Sequence, residues 1–326
     1  MTSVGHPCSR GKSFDFRFLI FDTTGSASYA AVKQAVIITA IQDPIEKPKT
    51  VEESDTLVIN EIYPSLQGES TFAGLPCIFV RLTGCHLRCS YCDTAYAFSE
   101  GRRMGLADVC REVGRLAKPF RESVTAAAVT KPKSRSAVRD ARDDPPPAEP
   151  ALRTSNFALP LVEITGGEPL LQKNCLSLMK RLCDDGFTVL LETSGALDIS
   201  TVDPRVRRIM DLKCPSSGEA DRNRWENLAH LRPTDELKLV IGTRQDYEWA
   251  KRQMAAHRLG SICPLLFSWV HPLAPAQQHK SLKRIPAGQT PMSRRELAEQ
   301  IIADALPVRF QIQMHKVIWP PDRRGV

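Results

Sequence analysis

The chain reads as an α/β protein: a parallel sheet, open or rolled into a barrel, with helices outside it. Three observations predict this. Short apolar runs at 161–165, 187–192, 206–212, 236–241, 262–270 and 308–313 alternate with helix-period segments at 170–184, 246–258 and 293–306. Such strand–helix alternation favours parallel pairing with crossover helices. The motifs that can carry chemistry also fall together: a cysteine run, Thr165-Gly166-Gly167-Glu168 and Asp211-Leu212-Lys213 each follow a predicted strand. Folds of this class collect their sites at the C-terminal ends of strands.

Taken in order, residues 1–55 begin polar and irregular, hold an apolar stretch at 30–41, and end charged around Pro44 and Pro48. They read as an extension, disordered or poorly ordered. The ordered domain is expected over 56–326. It opens with a strand at 57–62, and a second at 78–82 runs straight into the cysteine run; a helix covers 106–116. Residues 118–160 change character, with Pro145, Pro146 and Pro147, many Ala and Ser, and scattered charge. That composition predicts a disordered insertion. After it the strand–helix rhythm resumes, and Ser293 with Glu296 three residues later marks a capped helix start.

With 326 residues and 42% hydrophobic content, the chain can build a sizeable core. No apolar run approaches the roughly 18–20 residues of a membrane span. The net charge of +7 is modest. It fits an anionic small ligand or weak nucleic-acid affinity, and no direct nucleic-acid partner is expected. The N-terminal apolar runs are split by Asp22 and Lys33 and lead to no small-residue cleavage site, so a reducing cytoplasm is the expected compartment.

Ten cysteines are present, and Cys85, Cys89 and Cys92 lie in a C-x3-C-x2-C run. Three thiolates at this spacing can grip one metal centre, one ligand short of a closed site. An iron–sulfur cluster held so keeps one iron open for a reactant. Zinc is the next reading, but its usual second ligand pair is missing; His86 could substitute, though the cysteines on both sides of it compete for the same metal. A disulfide framework would need a far higher cysteine density. Cys77, Cys110, Cys175, Cys183 and Cys263 read as packing residues. Glu192 could reach a ligand or be a buried, paired carboxylate; Cys214 is similarly open. Taken alone, Gly166-Gly167-Glu168-Pro169 reads either as a plain turn or as a place where glycine lets backbone approach a ligand, Glu168 accepts from an ammonium, and Pro169 starts a helix.

The C-x3-C-x2-C run with Tyr91 before its third cysteine, followed by Gly166-Gly167-Glu168-Pro169, resembles the radical S-adenosylmethionine superfamily. Glu61 to Ser70, Cys92-Asp93-Thr94, Asp211 to Gly218 and Gln311 to Lys316 narrow the resemblance to the 7-carboxy-7-deazaguanine synthase (QueE) family. It covers roughly 57–116 and 161–320. The resemblance implies a partial (β/α) barrel of about six parallel strands. It implies conversion of 6-carboxy-5,6,7,8-tetrahydropterin to 7-carboxy-7-deazaguanine with loss of ammonia. Cys85, Cys89 and Cys92 would then ligate a 4Fe–4S cluster, and Thr94 a Mg2+ ion. Leu66, Gln67, Gly68, Glu69, Arg81, Thr165 and His315 would meet the substrate, with the Arg81 guanidinium on its carboxylate. Tyr91, Cys92, Asp93, Gly167, Glu168, Asp211, Leu212 and Lys213 would meet S-adenosylmethionine, with a weaker match at 268–270. A flavodoxin or ferredoxin reductant and a homodimer are the implied partners. Two alternatives stay open: an activase that makes a glycyl radical on a partner protein, and a non-catalytic electron carrier or zinc module.

Overall fold

A computed structural model describes residues 55–129 and 159–326, with side chains to 122 in the first stretch. The expectations for 1–54 and 130–158 lie outside the described residues. One sheet of nine strands organises the rest, in the order β3-β1-β2-β4-β5-β6-β7-β8-β9. The strands are β1 (Thr56–Leu66), β2 (Pro76–Leu82), β3 (Arg102–Gly105), β4 (Leu161–Gly166), β5 (Val189–Thr193), β6 (Arg207–Leu212), β7 (Glu236–Ile241), β8 (Leu265–Trp269) and β9 (Arg309–Gln311). From β2 through β9 every neighbouring pair is parallel, while β1 runs antiparallel to both β2 and β3. The sheet is open, as a partial barrel must be, and carries more parallel strands than the resemblance implied.

The helices are α1 (Leu106–Val129), α2 (Asn174–Asp184), α3 (Arg244–Ala256), α4 (Arg294–Ala303) and a short α5 (His315–Ile318). Two differ from expectation. α1 runs well past 116, so the segment read as an insertion from 118 begins inside a helix that accommodates Pro119. The predicted helix at 170–184 divides into a 3-10 turn at Pro169–Leu171, capped by the Glu168 carboxylate, and α2. α4 starts as predicted, with Ser293 Oγ accepting from Glu296 N and the Glu296 carboxylate accepting from Ser293 N.

The period-two alternation of each strand sorts its side chains onto two faces. Outward residues such as Ile78, Val80, Val162, Ile164, Leu191, Met210, Leu237 and Leu239 form the main core under the helices. The inner face is apolar only at its base, where Cys77, Leu161, Leu190 and Ile209 cluster. Two or four residues further along the same face come Arg81, Glu163 and Thr165, Glu192 and Asp211, with Lys238 beside Asp211 on β7. The sheet therefore changes from hydrocarbon to charge toward its C-terminal edge.

Candidate active site

A cavity of about 500 Å3 opens at that edge, in the range of small-molecule sites. Cys85, Cys89, Cys92 and Thr94 line it, as do Leu66, Gln67, Gly68, Glu69, Arg81, Thr165 and His315, and Tyr91, Asp93, Gly167, Asp211 and Lys213. Two predicted contacts, Glu168 and Leu212, do not. Leu212 belongs to the outer core. Glu168 is fully buried, and its carboxylate accepts from Leu170 N, Thr193 Oγ1, Ser194 N and Ser194 Oγ. Its oxygens are spent on tying the ends of β4 and β5 together.

The glycines beside it also differ from their expected role. A Cβ on Gly167 would lie 2.1 Å from Gly84 O and 2.8 Å from Cys85 Cβ, and one on Gly166 would lie 2.2 Å from Leu82 O. Gly166 also holds φ +141°, which favours glycine. Their missing side chains let β4 pack against the start of the cysteine loop. Gly167 N donates to Leu82 O and Glu168 N to Gly84 O, closing that contact.

The loop itself offers a donor set suited to a multi-iron group. Burial pushes all three thiols up, Cys92 to about 12 with the nearby Asp93 carboxylate adding to it. They need a cation to ionise, which a metal centre supplies. Within the loop, the Tyr91 hydroxyl and both ring nitrogens of His86 are shielded from solvent without a protein partner. Among the described residues, no three His, Cys, Asp or Glu side chains are gathered for a single metal ion.

Arg81 enters from β2. Its Nε donates to Glu61 Oε1 at 2.7 Å and one Nη to Tyr63 Oη at 2.9 Å, while Tyr96 Oη donates to the same Glu61 oxygen at 3.0 Å. Gln67, expected to read a heterocycle through its amide, is turned inward. Its Nε2 donates to Glu163 Oε2 at 3.1 Å, and its Oε1 accepts from Glu69 N and Ser70 N. It shapes the 66–76 turn and leaves Gly68 and Glu69 at the surface of the cavity. Thr94 stands at the start of a 3-10 turn but makes no capping bond; its hydroxyl donates to Asp93 Oδ1 at 2.8 Å.

Several wall residues escaped the sequence reading. Lys316 Nζ reaches Asp93 Oδ2 at 2.5 Å, and Gln313 Nε2 donates to both Glu69 Oε1 and Asp93 Oδ2, so the segment before and within α5 bolts two walls together. Burial raises the Asp93 pKa, but Lys316 outweighs it and holds the carboxyl below its ordinary value. Glu163 is pushed well above its ordinary value by burial and by Glu192 beside it. Lys238, 2% exposed, makes ion pairs with Glu69, Glu192 and Asp211. Charges at alternate positions of an apolar strand, Glu236 and Lys238, were the signal available for it. The segment from Pro321 to Val326 lines the mouth, where Arg324 lies over the Tyr96 ring at 3.8 Å and pairs with Glu100.

An open, mostly parallel α/β sheet with three cysteines on one loop at the strand ends is the framework of a radical S-adenosylmethionine enzyme. No family model matches the chain. It is 38% identical over 270 residues to the 7-carboxy-7-deazaguanine synthase of Koribacter versatilis, spanning 82% of this chain and 99% of that one. With the 7-carboxy-7-deazaguanine synthase of Chlorobaculum tepidum it shares 39% identity over 273 residues, 83% of this chain and 97% of that one. The crystal structure of QueE from Escherichia coli matches with a TM-score of 0.51 at 19% identity, over 79% of this chain and 94% of that chain, a likeness of fold. The chain belongs to the 7-carboxy-7-deazaguanine synthase family. It is a radical S-adenosylmethionine lyase of 7-deazapurine biosynthesis, acting on a small molecule. No described helix is long and apolar enough to cross a membrane.

Proposed function

We propose that the strand-end cavity is where this chain converts 6-carboxy-5,6,7,8-tetrahydropterin to 7-carboxy-7-deazaguanine with release of ammonia. The observation that carries this is the presence of the three cysteines and Arg81 in the walls of one cavity. Cys85, Cys89 and Cys92 hold the cluster. Tyr91, Cys92, Asp93, Gly167, Asp211 and Lys213 face S-adenosylmethionine, with Glu168 and Leu212 acting behind that wall. When bound, the cluster and S-adenosylmethionine supply the radical that starts the ring contraction.

The substrate side consists of Leu66, Gln67, Gly68, Glu69, Arg81, Thr165 and His315. Glu61 and Tyr63 fix the Arg81 guanidinium plane before a carboxylate arrives, which favours binding by pre-organisation. Gln67 acts by shaping its turn, so the backbone around Gly68 and the Glu69 carboxylate meet the heterocycle. Thr94 would offer its hydroxyl oxygen to Mg2+, a cation that accepts few protein ligands. A flavodoxin- or ferredoxin-type reductant, a homodimer and a cytoplasmic setting complete the reading; their support is the family resemblance.

Anaerobic reconstitution with iron and sulfide, followed by dithionite, S-adenosylmethionine and the carboxypterin, tests it. 7-Carboxy-7-deazaguanine should accumulate. 5′-Deoxyadenosine without that product would favour an activase, and neither product would sink both readings. Arg81→Ala should keep the cluster and weaken carboxypterin binding about 10- to 100-fold, the worth of a charge-assisted hydrogen bond. Unchanged binding would remove Arg81 from the substrate side. Thr94→Ala should shift the magnesium titration of the rate; an unshifted curve would assign the ion elsewhere.

A further inference from the structure

Lys238 is the hub of a buried charge cluster that the motifs do not mention. Its ammonium touches Glu192 Oε1, Glu69 Oε2 at 3.3 Å and Asp211 Oδ1 at 3.4 Å. The last is a charge contact without hydrogen-bond alignment. These carboxylates come from the turn after β1, from β5 and from β6. Each is pinned a second time on its other oxygen. Thr165 Oγ1 donates to Glu192 Oε2 at 3.0 Å, Gln313 Nε2 to Glu69 Oε1 at 2.9 Å, and Lys213 Nζ to Asp211 Oδ2 at 2.5 Å. Two-point pinning fixes the plane of a carboxylate as well as its position.

Stability alone is a poor reason for this arrangement. Desolvating ions costs several kcal/mol each, and well-packed hydrophobic residues of similar volume are often as stable or better. All four side chains line the reaction cavity. We propose that Lys238 is a positioning residue for the rearrangement, holding the Glu69 and Glu192 carboxylates in one arrangement around the substrate. The inference rests on the assignment of the reaction to this cavity. Radical formation draws on the cysteine wall and on Asp211, which Lys213 holds independently of Lys238, whereas the later proton and ammonia steps draw on Glu69 and Glu192. Loss of Lys238 therefore separates the two.

The test uses reconstituted full-length wild type, Lys238→Met, Glu192→Gln and the double variant. Both 5′-deoxyadenosine and 7-carboxy-7-deazaguanine are measured, with KM and kcat for the carboxypterin. A misplaced group costs about a hundredfold in rate, so Lys238→Met should lose about that much product formation while 5′-deoxyadenosine formation changes little. The double variant should be no slower than the slower single variant, because the two changes remove one shared contact. A Lys238→Met enzyme with both rates unchanged, or with both lost together, overturns the proposal, as do losses that multiply in the double variant. If Lys238→Met does not fold, Lys238→Arg, which keeps the charge but displaces it, is measured instead: lost product formation beside retained 5′-deoxyadenosine formation supports the proposal, and rates that are both unchanged or both lost overturn it. A wild type that makes no product sinks the assignment of the reaction itself, whereas an active wild type beside a still-coupled Lys238→Met sinks only this inference.

Discussion

The two walls of the cavity are built in opposite ways. The cysteine wall is one short loop, 84–94, whose ligands are neighbours in sequence and whose thiols burial pushes up, despite the Lys213 ammonium near Cys85 and Cys89. The carboxylate wall is gathered from β4, β5, β6, β7 and the turn after β1, and its charges are already paired within the protein. One wall offers thiols that a cationic centre would ionise. The other is a finished polar lattice that holds its own groups in place. The difference separates residues that bind by chemistry from residues that act by position.

Three experiments sharpen or break that contrast. The largest effect is expected for Cys92→Ser, which should abolish retained iron and 5′-deoxyadenosine formation, since the loop has no spare thiol to replace it. Iron analysis after reconstitution checks this, and a variant that keeps a full cluster would show that the ligands lie elsewhere.

A smaller effect is expected for Gly167→Ala. The new methyl meets Gly84 O and Cys85 Cβ, so either the loop or β4 must shift. Overpacking of this kind costs about 1–3 kcal/mol. Thermal unfolding of the apoprotein should report that loss, and iron occupancy should fall with it. Full occupancy would show that the loop yields without losing its ligand geometry.

The smallest effect tests the polar lattice. Glu163 titrates above its ordinary 4.5 in the folded protein. Between that value and its raised one, the folded state binds a proton that the unfolded state has lost. Stability therefore falls as pH rises through this window. Glu163→Gln keeps an acceptor for Gln67 and a donor for Glu192 but cannot ionise. Unfolding measured from pH 4 upward should lose that part of its downward slope. An identical pH profile in the variant would mean that Glu163 is ionised in the fold and that the lattice is less tightly closed.

The legible parts of the molecule share a physical property: their signal is local. Strand patterning located most of the sheet, because an outer apolar face repeats every second residue. It missed β3, whose arginines are exposed and leave no apolar trace, and the short α5, which is fixed by Lys316 on Asp93. Thiol spacing located the cysteine wall. Gly166 and Gly167 were noticed for the right reason, close backbone approach, but what approaches them is the chain's own Leu82 and Gly84. Glu168 was noticed as a charge, yet its partners Thr193 and Ser194 lie on another strand and could not be read from its neighbours.

The sequence by itself determined the α/β class, the strand ends that bear the motifs, the three thiols and the family pattern around them. Each depends on spacing within a few residues or on a recurring short motif. The tertiary structure alone decided that Gln67 turns inward, that Glu61 and Tyr63 orient Arg81, and that Lys238 joins three carboxylates. Those outcomes depend on which side chains the sheet brings within reach of one another across 18 to 169 residues of chain, from Tyr63 and Arg81 to Lys238 and Glu69. Buried charge is tolerated only where such partners meet, and no local pattern records that meeting.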